Sequence, residues 1–294
     1  MISSLLSNFL KKANKPPVIA IVGPTGAGKS QLSIEIAKEV NGEIINADSK
    51  QLYKGLKITT GVIKDEEKEG IPHHLFSYIE PEIIFTVEDH RKDALLKIEE
   101  ILSKKKIPIL VGGTGLFINA LTQNFDIPKN SMNWELKKEL DKKSSDELWN
   151  ELNKIDPEYA KITHKNNRVI VIRALEFFYM TNQKKSKVDK GEEKFSVLIL
   201  MPKIKDREEL YEHINKRAEY IWKNGLLDEA KVLFDKRLDE KLPALKSIGI
   251  PEAFSFFRKE ISEEEAIEQM QQKSRNYAKR QMTWWRNDER VKIV

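Results

Sequence analysis

Eight residues near the start of the chain constrain its fold more than any other segment. They read Gly23-Pro24-Thr25-Gly26-Ala27-Gly28-Lys29-Ser30 and fit the phosphate-loop pattern G-x-x-x-x-G-K-[ST]. An apolar run at residues 18–22 precedes the loop and a helical pattern at residues 29–40 follows it, which is the strand–loop–helix setting that the pattern requires. Glycines let backbone N–H groups converge on an anion, the lysine adds positive charge, and the serine hydroxyl can ligate Mg²⁺. The segment therefore predicts a phosphate or diphosphate ligand.

Short apolar strands and amphipathic helices alternate up to about residue 125. We predict strands at residues 18–22, 43–47 and 107–111. A further helix begins at Thr86, because Asp89 three residues later completes a capping box. Such alternation implies a parallel sheet with helices on both sides. We therefore expect an α/β fold with a P-loop NTPase-like three-layer core.

The middle of the chain has a different texture. Residues 126–194 are polar, contain 15 basic and 13 acidic residues, and show helical periodicity without a convincing strand. We expect an inserted all-helical domain there. The core, predicted as residues 16–125 and 195–294, resumes with a strand at residues 195–201. Helices follow at residues 206–224, which Gly225 would end, and at residues 262–285.

Composition excludes several classes of protein. The 294 residues contain no Cys, which removes disulfides, thiolate metal sites and Cys nucleophiles and fits a reducing, intracellular location. No stretch has the roughly 18 to 20 apolar residues of a membrane span, and the N-terminal segment does not have the pattern of a secretory signal. The net charge is only +5, and residues 270–294 alone carry seven basic and two acidic residues. The basic excess is therefore local to the C terminus.

One acidic residue stands out near the phosphate loop. Nucleotide hydrolases carry a second acid at a strand end, but the strand at residues 107–111 runs into Gly112-Gly113-Thr114-Gly115 without one. Asp48 follows the strand at residues 43–47, and the carboxyl ends of parallel strands share one crevice, so Asp48 should face Lys29. It is a general base, a Mg²⁺ organiser or only a cap of the next turn. The glycine pair, likewise, is a ligand loop or only a tight turn.

The last predicted helix interleaves basic and aromatic residues. Lys273 and Arg280 are spaced to share a helix face, as are Arg275 and Lys279, and Tyr277, Trp284 and Trp285 lie among them. Such a surface suits a nucleic-acid backbone and stacking on unpaired bases. The alternative is a solvated basic helix that its tryptophans anchor to the core. The chain's five histidines have no metal-ligand spacing.

Taken together, the motifs resemble those of the tRNA dimethylallyltransferase family. The phosphate loop is followed by Asp48-Ser49-Lys50-Gln51-Leu52-Tyr53, by Thr59-Thr60-Gly61, and by Pro72-His73-His74-Leu75. The same order continues with the segments at residues 111–117, 173–176, 247–250 and 275–284. The resemblance spans nearly the whole chain, about residues 18–286. Only the phosphate loop is distinctive alone, whereas the ordered set is hard to obtain by chance.

The resemblance implies transfer of a dimethylallyl group from dimethylallyl diphosphate to N6 of the adenine 3′ of the tRNA anticodon. It implies Asp48 as general base, with Lys29, Thr114 and Arg217 as its catalytic partners. Residues 23–30 would hold the diphosphate, and Ser30 would ligate Mg²⁺, with Asp48 as a second candidate ligand. The implied tRNA contacts are Asp48, Ser49, Lys50, Gln51, Thr114, Lys137, Arg168, Arg173, Lys246, Ser247, Gly249, Lys273, Arg275, Lys279 and Arg280.

Two positions depart from the family pattern. Lys50 stands where many relatives carry a small residue, and Ile170 stands where an Arg is usual, so that Arg168 lies two residues early. Three other functions remain open: a small-molecule kinase that uses ATP, a prenyltransferase of free adenine nucleotides, and a non-catalytic RNA-binding protein. With the tRNA anticodon stem-loop as partner, we expect a cytoplasmic monomer without a membrane attachment.

Overall fold

The computed structural model describes residues 2–123, 134–188 and 192–294. The chain forms two compact units. The sheet unit comprises Met1–Thr122 and Glu193–Val294, and the helical unit comprises Gln123–Glu192. The boundary predicted at residue 126 lies outside the described residues.

A parallel sheet organises the sheet unit. Its described strands are β1 Pro17–Ile21, β2 Gly42–Asn46, β3 His73–His74, β4 Ile107–Val111, β5 Ser196–Met201 and β6 Val291–Ile293. They lie in the order β3-β2-β4-β1-β5-β6, and every pairing is parallel. This arrangement confirms the predicted α/β class.

Helices cover both faces of this sheet. The bounds are α1 Ile2–Lys12, α2 Lys29–Val40, α3 Lys57–Thr60, α4 Val87–Ser103, α5 Gly115–Thr122, α10 Arg207–Ile221, α11 Leu227–Asp235, α12 Ile250–Phe257 and α13 Glu263–Arg286. Val18 and Ala20 of β1 pack in one hydrophobic cluster with α4, α5 and α13. Ile19 and Ile21 pack in another cluster with α1 and α2. Since successive strand residues point to opposite faces, the sheet is the middle of three layers.

Local sequence rules explain where these helices begin. Thr86 Oγ1 accepts from the Asp89 backbone N–H at 3.2 Å, and the Asp89 carboxylate accepts from the Thr86 N–H at 2.9 Å. Ser262 and Glu265 form the same reciprocal box before α13. Both boxes confirm the predicted helix starts.

The predicted helix end near Gly225 is a kink between two helices. Regular α10 ends at Ile221, Asn224 and Gly225 have non-helical backbone angles, and α11 begins at Leu227. Gly225 adopts φ +120°, and a Cβ there would lie 2.4 Å from Ile58 Cδ1. The glycine therefore interrupts the helix near the predicted position, and a second packed helix follows the bend at once.

The helical unit has its own core. It contains α6 Trp134–Asp141, α7 Ser145–Ile155, α8 Pro157–Ile162 and α9 Arg168–Thr181. Leu148, Leu152, Val171 and Leu175 are at most 1% exposed and pack together. Among the described residues, none of the helices is long and apolar enough to cross a membrane.

The end of β4 lies very close to the end of β2. A Cβ on Gly112 would lie 2.2 Å from the Ala47 carbonyl oxygen and 2.8 Å from the Asp48 backbone nitrogen. The first glycine of the Gly112-Gly113 pair is therefore required by this close approach of two backbones.

We expect Gly112→Ala to destabilise the protein by about 3 kcal/mol, because the backbone of Ala47 must move to admit the new methyl group. Gly70→Ala is a matched control: Gly70 has φ +77° but no neighbouring atom within 4 Å of the added Cβ. That change should lower the free energy of unfolding by only about 1 kcal/mol, the usual cost of placing an alanine in a left-handed backbone conformation. Urea unfolding measures both. Equal losses for the two variants would contradict the proposed crowding.

Candidate functional site

A cleft of about 540 Å³ opens at the carboxyl ends of the strands. Its walls come from the phosphate loop, the turn after β2, the end of α3, the inner side of α10, residues 246–248 and the middle of α13. This volume is typical of sites for small organic ligands. Lys29, Asp48, Arg217 and Tyr277 all line it, so the cleft brings together residues that are far apart in the sequence.

The phosphate loop has the backbone shape that an anion site requires. Gly23, Gly26 and Gly28 have φ values of +125°, +80° and +80°, which residues other than glycine rarely adopt. The loop leads into the N-terminus of α2, where backbone N–H groups and the helix dipole favour negative charge. The geometry supports the predicted phosphate or diphosphate ligand.

Lys29 is held over this loop. Its Nζ donates to the Pro24 carbonyl at 2.8 Å. Burial lowers the pKa of Lys29 to about 8, while the carboxylate of Asp48 opposes the shift and the guanidinium of Arg217 adds to it. The ammonium group therefore sits in surroundings that favour an incoming anion, which would restore its pKa.

Asp48 is oriented by a buried asparagine. The Asp48 backbone N–H donates to Asn46 Oδ1 at 2.9 Å, and Asn46 Nδ2 donates to the Asp48 carbonyl at 3.2 Å and to the Leu75 carbonyl at 3.0 Å. Asp48 Oδ1 accepts from the Lys50 backbone N–H at 2.9 Å. One carboxylate oxygen thus caps the turn while the side chain lines the cleft with Lys29. Turn capping and a site role are therefore compatible.

Thr114 joins the glycine-rich turn to the Asp48 turn. Its Oγ1 accepts from the Ser49 backbone N–H at 3.2 Å. Tyr277 of α13 lines the same cleft. Burial, followed by the charge of Asp48, raises the pKa of Tyr277 to about 12. The phenol therefore stays protonated at neutral pH beside the carboxylate.

Arg217 reaches the cleft from α10. Its guanidinium lies against Gly61 at the end of α3, where an added Cβ would fall 1.7 Å from Nη2. The side chain lines the cleft, where burial of the guanidinium lowers its pKa. Arg217 is thus placed beside Lys29 rather than on the outer surface of the protein.

Lys50 and Gln51 make contacts within the protein. Lys50 Nζ donates to the Pro243 carbonyl at 2.7 Å. Burial lowers the pKa of Lys50, Asp48 opposes that shift and Lys246 adds to it. Gln51 Nε2 donates to the carbonyls of Thr60 and Gly61 at 3.1 and 3.0 Å. Both residues therefore fix the cleft walls.

The basic residues predicted on α13 divide into two groups. Lys273 pairs with the buried Glu252 at 2.5 Å, and half-buried Arg275 donates to Asn215 Oδ1 at 2.6 Å. These two tie α13 to α12 and α10. Lys279 is exposed, and Arg280 lines the cleft with its guanidinium 5.7 Å from the centre of the Tyr277 ring. Lys279 and Arg280 are therefore the better placed for nucleic acid.

Residues 246–248 form one wall of the cleft, and Gly249 follows them. Lys246 is exposed there, whereas the buried Ser247 hydroxyl donates to the Ala244 carbonyl at 2.7 Å. The Gly249 N–H donates to Glu252 Oε2 at 2.7 Å. Ser247 and Gly249 thus shape the wall that presents Lys246.

The predicted residues of the insertion lie in the helical unit. Lys137 is on α6, and Arg168, at the start of α9, donates from Nη2 to the Asp141 carbonyl at 2.8 Å. Arg173 pairs with Glu176 at 2.8 Å. Arg168 therefore caps the end of α6, and the tRNA role implied for all three stays a prediction.

The residues in or behind the cleft that were not among the predicted site residues include Asn46, Tyr277 and Gln281. A sequence signal existed for Gln281. The buried positions of α13 are Ala266, Met270, Ala278, Gln281 and Trp285, so an amide stands in an otherwise apolar stripe. A buried polar side chain needs a hydrogen-bond partner, and that requirement marks the position as unusual.

The cleft is compatible with Mg²⁺ bound together with a phosphate ligand. No group of three or more His, Asp or Glu residues is arranged for a metal within the described part of the chain. Ser30 and Asp48 nevertheless line the same cleft. Mg²⁺ often takes one or two protein oxygens and completes its shell with substrate phosphate and water. The donor set therefore fits a metal that arrives with its ligand.

Known proteins are similar to this chain in sequence and in fold. Residues 51–288 match the family model described as IPP transferase. A tRNA dimethylallyltransferase of Acetivibrio thermocellus is 42% identical over 284 residues, which cover 93% of this chain and 90% of that protein. One from Bacillus subtilis is 38% identical over 284 residues and covers 94% and 90%.

Two solved structures are similar throughout most of their length. The full-length tRNA isopentenylpyrophosphate transferase of Bacillus halodurans matches with a TM-score of 0.70 at 35% identity, covering 96% of this chain and 90% of that one. A eukaryotic dimethylallyltransferase acting on tRNA matches with a TM-score of 0.80 at 33% identity, covering 92% and 69%.

The lowered pKa of Lys29 predicts a pH-dependent anion site. A lysine with a pKa of about 8 is mostly protonated at pH 7 and mostly neutral at pH 9. The affinity for inorganic diphosphate, relative to that of Lys29→Met, should therefore fall about tenfold over this range. Isothermal titration calorimetry of both proteins measures this. Protonation of diphosphate itself affects both affinities equally, so it cancels in the ratio of the two. A ratio that stays constant with pH would contradict the assignment.

Proposed function

The chain belongs to the IPP transferase family, and from that premise we propose that it transfers the dimethylallyl group of dimethylallyl diphosphate to N6 of the adenine 3′-adjacent to the anticodon of tRNA. The names of its relatives support the reaction class. The observation that carries the proposal is the meeting of Lys29, Arg217 and Asp48 in one cleft beside a phosphate loop.

The donor end of the cleft matches a diphosphate leaving group. When the allylic carbon–oxygen bond breaks, its electron pair stays on the diphosphate, and negative charge grows on the leaving oxygen. Lys29, Arg217 and the amides at the start of α2 would stabilise this charge. The strand β4 ends in glycines without an acid, so the site has no second acid there to organise a hydrolytic water as in nucleotide hydrolases.

The acceptor end of the cleft supplies a base. The new bond joins N6 of adenine to the allylic carbon, and N6 loses a proton. Its lone pair is delocalised into the ring, so proton removal during attack lowers the barrier. Asp48 accepts this proton in our proposal, and Asn46 holds its backbone in place. Thr114 and Ser49 position the turn that receives the nucleotide.

Mg²⁺ is the cofactor that this donor set suits. Ser30 would hold it, and Asp48 is the second candidate ligand. When bound, the ion supplies positive charge to the diphosphate oxygens. Lys29 and Arg217 would bind and orient the donor.

The acceptor base must leave the anticodon loop to reach this cleft. Extrusion of a target base is the general solution for enzymes that modify a stacked base. Lys246, Lys279 and Arg280 stand at the cleft or near it and would bind the flanking phosphates, and the helical unit would add Lys137, Arg168 and Arg173. We further propose a monomer that acts in the cytoplasm.

Asp48→Asn is the sharpest test of the chemistry. The amide oxygen still accepts from the Lys50 N–H, but the side chain no longer takes a proton. We expect transfer from labelled dimethylallyl diphosphate to unmodified tRNA to fall roughly 10²- to 10⁴-fold. Donor and tRNA affinities, measured separately, should change only a few-fold if Asp48 acts as the base. A much weaker Mg²⁺-dependent diphosphate affinity would instead assign it to the metal.

The same assay separates the proposed acceptor from its rival. Unmodified anticodon stem-loops with adenine 3′ of the anticodon should accept the group, and AMP should not. Transfer to AMP alone, or full transfer activity in Asp48→Asn, would be incompatible with the proposed function.

Lys279→Ala tests the RNA surface. Because the side chain is exposed on α13, its removal should reduce the slope of log affinity against log salt for an anticodon stem-loop by about 1. Lys12→Ala removes an exposed charge from α1 on the opposite face of the sheet and should leave that slope unchanged. Equal slopes for the two variants would place the RNA elsewhere.

A further inference from the structure

The peptide group between Pro24 and Thr25 is held from two sides. Its carbonyl accepts from Lys29 Nζ at 2.8 Å, and its N–H donates to Gln281 Oε1 at 2.9 Å. The two groups belong to one planar unit. The bond on the N–H side therefore fixes the direction in which the carbonyl points, and with it the contact to Lys29.

Gln281 is itself tightly placed. It is 4% exposed on α13, and a Cβ on Gly113 would lie 1.9 Å from its Nε2. The glycine at position 113 thus makes room for this amide, which touches both the phosphate loop and the turn that carries Thr114.

We propose that Gln281 is a positioning residue for the donor diphosphate, which it serves by orienting the Pro24–Thr25 peptide. In this orientation the Thr25 N–H is used within the protein, and the carbonyl keeps the Lys29 ammonium over the loop. The anion is then bound by the remaining loop amides and Lys29. This role rests on the proposed function only in taking the donor to be a diphosphate.

The position of Gln281 gives this contact a further consequence. The same helix presents Lys279 and Arg280, which we place on the RNA side of the cleft. The helix that binds the acceptor therefore also sets the shape of the donor loop, through a single buried amide. Because Gln281 Oε1 contacts the backbone of the loop, its removal should weaken diphosphate binding without weakening RNA binding.

Gln281→Met tests the proposal, since methionine has a similar length and offers no acceptor for the Thr25 N–H. Calorimetric titration with inorganic diphosphate in the presence of Mg²⁺ should show an affinity roughly fivefold to tenfold lower, the effect of one lost hydrogen bond. Affinity for an anticodon stem-loop should stay within about twofold. Gln281→Asn, whose amide is too short to reach Thr25, should behave in the same way and serves if the methionine variant does not fold.

A matched control and a double variant separate positioning from general damage. Gln271→Met makes the same substitution on α13 at a residue that bonds to the Asn215 carbonyl at 3.3 Å, away from the loop. It should leave diphosphate affinity unchanged. In a Lys29→Met background, Gln281→Met should cause no further loss, because the proposed effect acts through Lys29.

Three results would overturn the proposal: unchanged diphosphate affinity in both Gln281 variants, an equal loss of RNA affinity, or an undiminished loss in the Lys29→Met background. Since the measurement is diphosphate binding, it is independent of transfer to tRNA. Failure of this inference is therefore distinguishable from failure of the proposed function.

Discussion

Strand β4 hydrogen-bonds to both β1 and β2, and this pairing brings together the phosphate loop and the Asp48 turn. Ile109 is in register with Ile19 on one side and Ile44 on the other. The phosphate loop and the Asp48 turn therefore emerge on either side of the glycines that end β4. Gly112 allows the backbone of Ala47 to come close, and Gly113 admits Gln281 from α13. A larger side chain at either glycine would separate the donor loop from the base.

The electrostatics of the cleft follow from this geometry. Lys29 and Arg217 line the same cleft as the carboxylate of Asp48. Burial is the main cause of the lowered pKa of Lys29, the charge of Arg217 adds to it, and Asp48 opposes it. In the proposed function, a diphosphate would offset this cost and hold the allylic carbon towards the carboxylate. The same groups would then favour both binding and departure of the diphosphate.

Local patterns predicted the parts of this protein that depend on neighbouring residues. The phosphate loop, the strands β1, β2 and β4 and the Thr86 and Ser262 capping boxes all follow from short-range rules. Asp48 was placed in the cleft because the carboxyl ends of parallel strands converge. By contrast, β3 has two residues and β6 three, so neither shows enough alternation to be recognised. The bend at Gly225 depends on Ile58, a residue 167 positions earlier in the sequence.

Long-range partners also explain what periodicity missed on α13. Helical spacing put Lys273 with Arg280 on one face, but a buried Glu252 on α12 pairs with Lys273 and an Asn215 on α10 holds Arg275. Helical spacing in the sequence predicts which face of the helix a side chain lies on. The residue that it pairs with is known only from the fold. The role assigned to Arg217 came from the family resemblance, and the structure supports its position with the contact to Gly61.

The most direct test is a crystal structure of the protein with a non-reacting thiolodiphosphate analogue of the donor and an unmodified anticodon stem-loop. We expect the diphosphate group to bind to residues 23–30 beside Lys29 and Arg217. We expect an extruded adenine whose N6 lies within hydrogen-bond reach of Asp48. An analogue bound away from the phosphate loop, or an adenine that stays stacked in its loop away from Asp48, would contradict these expectations.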